Sequence, residues 1–522
     1  MDSPNNAAAL RTLIIYAICV PLAIAIGYMV TNPMDYSTLG ILGLVILVLL
    51  LPLLLRVHHP LLVLSWNMGM TLFFIIGAPS LWLVMVALSL GISGLTRALN
   101  SEMHFIRVPQ ITWPLVCLIG VVLLTAKFTG GFGVRSFGSE VYGGKKYVTL
   151  LAGVLSYFAL TARRIPPERA VFYVALFFLG GVASFISDLY PVMPRFSHFV
   201  FWFFSPSIST FNEFEVGVTR LGGFAAAGLA IWSFLMARYG IRGIFVSGSL
   251  WRLFIFFSSL ALIFFGGFRY MLIFAGMVFT IQFFVEGLHR TRLLPVFAWM
   301  GIIAMVALVP LASKLPFTFQ RTLAFLPLNL DPLATQDAQD SWDWRVKMWK
   351  GLLPQIPQHL LLGKGLAISQ EDYNEMMGIT SVLGAAAGNF DPGQNPLALS
   401  YDYHNGPLSV ILPFGIWGCI GVLWFFAAGI RVTYCNFQYG DPALRTLNTF
   451  LFVEFLVYVI QFLFLGGSLS LDMERFVGTL GLSVALNGGM CRPVPQPVPA
   501  EETFLQPRGV LPRGQPHPAF PR

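Results

Sequence analysis

Apolar positions in this chain do not alternate with polar ones. They run on in long blocks, separated by short polar breaks that mostly carry arginine, glycine or proline. A bilayer core of about 30 Å needs roughly 20 apolar residues per helix. Blocks near that length lie at 12–30, 38–55, 61–77, 79–95, 112–126, 147–162 and 169–186. Others follow at 220–237, 253–268, 270–287, 293–312, 407–430, 446–466 and 476–489. The pattern predicts an all-α, polytopic integral membrane bundle of about 12–14 transmembrane helices. Arg11 is the one basic residue before the first block, with no clear small-residue cleavage site after it, so the block reads as a retained helix.

Composition agrees. Charged residues make up 11% of the chain and hydrophobic ones 56%, whereas a soluble domain needs about 25% charged residues. The net charge of +8 does not point to nucleic acid, because the basic residues stand singly between apolar blocks, as in a topology signal. Placing the N-terminus in the cytoplasm makes every inner loop basic: Arg56, then Arg97 and Arg107, then Arg163, Arg164 and Arg169, then Arg238, Arg242 and Arg252, then Arg290 and Arg292, and finally Arg431 and Arg445. The outer loop 127–146 is the exception, with Lys127, Arg135, Lys145 and Lys146. The five cysteines show no CxxC spacing and read as small hydrophobes.

Four regions follow: membrane helices over 1–312, an outer loop region over 313–405, further membrane helices over 406–489, and a Pro-rich, disordered cytoplasmic tail over 490–522. The outer loop carries nine acids against six bases, so it is no polybasic patch. A second outer segment, 187–219, contains "FSHFVFWFFSPS", whose Phe and Trp suit the membrane interface.

Four features could carry chemistry. In "IFFGGFRYMLIF" (263–274), Gly266 and Gly267 supply a turn and leave Arg269 as the sole charge at the outer membrane edge. It is either a side chain snorkelling to headgroups or an anion ligand facing a cavity. In "QDSWDWRVKMWKGLL" (339–353), Asp340 or Ser341 is the expected helix cap. Arg345, Met348, Trp349 and Leu352 then share one face, while Asp343 and Lys347 pair on another. Arg345 on that aromatic stripe meets either lipid phosphate or a buried phosphate, for which its planar fork is suited. "LLGKG" (361–365) reads as a tight turn and lacks the strand and GK[ST] ending of a phosphate loop. Finally, "YDYHNGPLSVILPFGIWG" (401–418) puts His404 and Asn405 at the mouth of a membrane helix. A neutral imidazole there suits proton abstraction near neutral pH. No HExxH, GxSxG or Cys/His metal spacing occurs, and the loop acids lack ligand spacing.

Together these residues resemble the bacterial O-antigen ligase and polymerase superfamily of membrane glycosyltransferases. The resemblance rests on Arg269 in a mid-chain helix pair, Arg345 followed by Trp349, "LLGKGL", and His404-Asn405 opening a helix with Gly415-Ile416-Trp417-Gly418. Stretch 339–418 carries most of it, and the first 250 residues share only hydrophobicity. The resemblance implies a helical bundle in the bacterial inner membrane that moves a glycan from a polyprenyl diphosphate carrier to a hydroxyl of a glycan, lipid or protein acceptor. The reaction would take place on the periplasmic side, with no cofactor and no metal. It implies His404 as the base, with Arg269 and Arg345 on the diphosphate. Arg220 and Arg475 are further diphosphate candidates, and Tyr403 and Asn405 would orient the base or the acceptor. His359 is expected to be structural. Ligase and polymerase remain alternatives, and a flippase for lipid-linked saccharides is the competing class. Mostly bare spans, with Glu454 the main exception, speak against the flippase.

Overall fold

A computed structural model describes residues 36–75, 77–100, 104–133, 142–206, 220–374 and 401–493, with scattered positions of an earlier helix. Among the described residues there are helices and two isolated β-bridges but no strands. Seven helices among the described residues are long and apolar enough to cross a membrane. The order is α1 (Tyr36–Ser65), α2 (Leu81–Leu99), α3 (Pro109–Phe128), α4 (Gly144–Leu160) and α5 (Ala170–Leu179), which continues as 3-10 turns to Leu189. Next come α6 (Gly222–Phe245), α7 (Leu250–Phe264), α8 (Arg269–Val285) and α9 (Leu293–Leu311). The long loop contributes α10 (Phe317–Leu323), α11 (Pro332–Leu352) and α12 (Ile356–His359). The chain then forms α13 (Gly406–Tyr439), α14 (Arg445–Ile460), a π turn over Gln461–Leu465, and α15 (Leu469–Asn487).

Helix α13 packs on α3, α14 and α15, while α14 also meets α6 and α8, and α15 lies along α4. Phe450, Phe455 and Phe476 are fully buried where these helices meet. Helix α9 differs, because none of its side chains is buried. Phe297 holds it to the bundle by packing on Phe245, Phe279 and Phe283, and its other apolar side chains suit lipid.

Three expectations need correction. The spans at 38–55 and 61–77 form one helical element that ends at Ser65, so Arg56 lies inside α1 and not in a loop. One charge and the internal Pro52 and Pro60 disturb a helix without ending it. Arg475 belongs to α15, which starts at Leu469, and not to the preceding loop. Helix α11 begins well before Asp340: Asp331 caps it by accepting from Leu333 N at 2.8 Å, and Pro332 occupies its first turn. Most of the expected span 12–30, and the tail beyond residue 493, lie outside the described residues.

The segment "LLGKG" is more than a turn, because it docks into a break in α13. Gly415 has φ 62° and ψ −159°, which interrupts the helical ladder. Lys364 N donates to Leu412 O (2.7 Å), Gly365 N to Pro413 O (2.9 Å), and Ile416 N to Leu360 O (2.7 Å). The break lies roughly 14 Å from the start of α13 at 1.5 Å per residue. Irregular backbone at membrane depth survives only where protein or a cavity satisfies it, as here. Gly363 has φ +82°, and a Cβ on it would lie 2.2 Å from Pro413 O. Gly363→Ala should therefore cost about 1–3 kcal/mol in strain alone, read as a lower Tm of the purified protein. Gly276→Ala meets nothing within 4 Å and should leave the Tm unchanged or slightly raised.

Candidate active site

The turn between α7 and α8 brings two arginines together. Gly267 adopts φ +64°, so the chain reverses and Arg269 opens α8. Leu221 N donates to Phe265 O at 3.0 Å, which sets the preceding Arg220 beside the same turn. Helix α10 stacks Phe319 on Phe264 and carries α11 over this end of the bundle. Arg269 Nη2 donates to Ala338 O of α11 at 3.1 Å, and the charges of Asp337 and Arg220 act on it. Asp337 in turn pairs with Arg321 at 2.5 Å.

Helix α11 buries Met348 and Leu352, and this turns Arg345, Trp344 and Trp349 toward residues 401–405. Trp349 Nε1 donates to Tyr403 O at 2.8 Å, and the Trp344 ring meets His404 edge to face at 6.3 Å between centroids. Arg345 Nε is buried and has no hydrogen-bond partner among the described residues. Burial, and then the like charge of Arg269, lower the Arg345 pKa, with Asp402 opposing them. A half-buried cation facing another cation is stabilised when an anion joins them.

Residues 401–405 are held in an uncommon shape. Tyr401 and His404 have φ of +59° and +46°, a region that non-glycine residues seldom occupy. Strain of this kind persists only where neighbours over-determine it, and it concentrates at functional sites. Here Tyr401 OH donates to Ala367 O (2.9 Å), Trp349 holds the Tyr403 carbonyl, and Asn405 caps α13 by accepting from Leu408 N at 3.0 Å. Ser409 Oγ accepts from Leu469 N at 2.9 Å and so joins the starts of α13 and α15. Tyr403 itself is buried.

His404 Nδ1 lies 3.8 Å from Asp402 Oδ1, an ion-pair distance too long for a hydrogen bond. Burial lowers the His404 pKa first, Asp402 raises it, and Arg345 lowers it. The net shift is downward from 6.5, so the ring is neutral and able to take a proton at pH 7. Its side chain is 41% exposed, and it lines a cavity of about 300 Å³.

Arg345, Asp402, Tyr270, Asp472 and Arg475 line the same cavity, along with the backbone of 466–468. Asp472 pairs with Arg475 at 2.9 Å and accepts from Ser468 N at 2.8 Å. Thus the structure brings His404, Arg345 and Arg475 onto one space. Arg269 and Arg220 do not line that cavity; Arg269 stands next to Arg345 as a charged neighbour, and Arg220 next to Arg269. Tyr403 and Asn405 hold the loop from outside the cavity, and His359 lies away from it on α12.

Asp402, Asp472 and Tyr270 were not singled out from the sequence as site residues. A signal existed for one of them: "LDMER" (471–475) sets an acid and an arginine three residues apart among apolar neighbours, and intramembrane charges mark function by default. Among the described residues, no group of three or more His, Cys, Asp or Glu side chains could hold a metal ion.

A comparison with curated proteins finds no match. The family model described as O-Antigen ligase matches residues 253–423. That stretch runs from α7 into α13 and holds Arg269, Arg345 and His404, while Arg220 and Arg475 come from outside it. Over this segment, about a third of the chain, the protein is similar to the O-antigen ligase family of membrane glycosyl-transfer proteins.

Proposed function

We propose that the chain transfers a saccharide from a polyprenyl diphosphate to an acceptor hydroxyl at the periplasmic end of a bundle in the bacterial inner membrane, with its N-terminus in the cytoplasm. The observation that carries this reading is one cavity lined by a neutral imidazole and two guanidinium groups, Arg345 and Arg475. Asp402 lies on the Nδ1 side of the ring, leaving Nε2 for the acceptor hydroxyl. That oxygen attacks the anomeric carbon as Nε2 takes its proton. The bond from the anomeric carbon to the diphosphate oxygen breaks, and its electron pair leaves with the lipid diphosphate. In-line attack inverts the anomeric centre, and the imidazolium then releases its proton to solvent. Arg345, with Arg269 and Arg220 behind it, stabilises charge growing on the diphosphate, a part that metal ions play elsewhere.

The test is transfer by the purified full-length chain in lipid nanodiscs, with a lipid-linked glycan donor from the host organism. The expected result is free polyprenyl diphosphate and glycosylated acceptor, undiminished by excess EDTA. Activity lost to EDTA and restored by magnesium would overturn the arginine-only mechanism. A donor that crosses the bilayer chemically unchanged would favour transport instead.

The Asp402 carboxylate stabilises the protonated ring, so removing it should lower the His404 pKa further. Asp402→Asn is therefore expected to shift the acidic limb of the kcat profile to lower pH. An acidic limb that stays in place or moves upward would show that His404 does not set it.

A further inference from the structure

A second cavity of about 220 Å³ lies behind the first, inside the bundle between α5, α6, α8, α14 and α15. Tyr270, Tyr458, Gln461 and Arg475 line both, so they stand where the two cavities meet. The wall of the inner cavity is mixed. Trp66, Phe177 and Phe274 give it aromatic surface, while Ser233, Gln461 and Glu454 bring polar groups. Glu454 is 1% exposed and accepts from Thr479 Oγ1 at 3.0 Å through Oε2. Glu454 also lines the cavity.

The chemistry of this wall excludes two occupants. An isoprenoid chain would set the Ser233 hydroxyl, the Gln461 amide and the Glu454 carboxyl against hydrocarbon, which costs about 1–3 kcal/mol for each polar group left without a partner. A phosphate would find on this wall a single cation, Arg475, which Asp472 already pairs. A neutral ring bearing hydroxyl or acetamido groups satisfies both kinds of surface. Its hydroxyls donate to Glu454 and accept from Gln461 or Arg475, and its C–H faces lie on the aromatic rings.

We infer that the inner cavity is a saccharide subsite, receiving the substituents of the donor's first sugar while its diphosphate stays in the outer cavity. The inference rests on the transferase reading above and assigns a sugar-recognition role to Glu454, Ser233 and Thr479. None of the three falls within the family match at 253–423, so recognition of the sugar would come from parts of the chain that the family model does not cover.

The test uses the full-length chain in nanodiscs and two kinds of probe: undecaprenyl diphosphate, and the same carrier bearing one N-acetylhexosamine or one hexose. Binding is measured by native mass spectrometry. Wild type should bind one of the sugar-bearing carriers about ten-fold tighter than the bare one, which corresponds to 1.4 kcal/mol. Glu454→Gln, which keeps the volume, and Ser233→Leu, which fills the space, should each remove that preference and leave bare-carrier affinity unchanged. A wild type that prefers no sugar-bearing carrier, or a preference that survives in both variants, overturns the subsite. Failure of wild type to bind any of these carriers would instead overturn the donor reading beneath it, and with it the subsite. If one variant fails to fold, the other decides by the same criterion.

Discussion

Removing the imidazole of His404 is expected to slow transfer about 10²–10⁴-fold, the usual effect of losing a general base, with little change in donor affinity. Backbone geometry dictates the choice of variant. His404 has φ +46°, and alanine there would add strain unrelated to chemistry, whereas asparagine tolerates the left-handed region well. His404→Asn thus keeps the loop and removes the base. Single-turnover transfer with preformed donor complex is the measurement. His404→Asn protein that is folded, binds donor and transfers at the wild-type rate would take His404 out of the mechanism. His404→Gln retains hydrogen bonding without accepting a proton at neutral pH and should be as slow as His404→Asn.

How much of this could be read from the chain depends on whether a feature is local. Apolar blocks report helices because each helix must satisfy lipid by itself, and the Gly266–Gly267 turn before Arg269 is where the sequence pattern puts it. The pairing of His404 with a helix mouth is likewise local, since Asn405 caps the helix it precedes. What stayed hidden depends on contacts between distant segments. "LLGKG" alone says only that a turn forms; its partner is a break in α13 some fifty residues away along the chain. The start of α11 is written in Asp331-Pro332, but Asp340 and Asp343 inside the helix are also residues of the kind that open one. Arg475 reads as a loop residue if hydropathy alone sets the helix start, because Asp472 and Glu474 lower the local average. Their presence inside α15 makes sense only beside the cavity that the helix lines. The mixed wall of the inner cavity draws on five helices, and no window of sequence contains it.

Arg345→Ala is the second variant expected to have a large effect, and its pattern should differ from that of His404→Asn. Arg345 touches the cavity directly, its Nε has no hydrogen-bond partner among the described residues, and it faces the like charge of Arg269. An arrangement of that kind favours binding of an anion, and the donor's diphosphate is the anion proposed. Loss of one preorganised donor aimed at developing charge lowers kcat by about 10²–10³, and here donor binding should weaken as well because the diphosphate is charged before it reacts. Arg345→Lys keeps the charge but not the planar fork, so it should recover part of the binding and less of the rate. Arg269→Ala should act more weakly, because Arg269 does not line the cavity and is tied to Ala338 of α11. Since the two cations are neighbours, their effects should not add, and the double variant should lose less than the product of the single losses. Affinity for bare undecaprenyl diphosphate, measured beside single-turnover rates, separates these terms. If Arg345→Ala binds that carrier as wild type does and loses turnover only in proportion to misfolded protein, Arg345 has no part in holding the diphosphate.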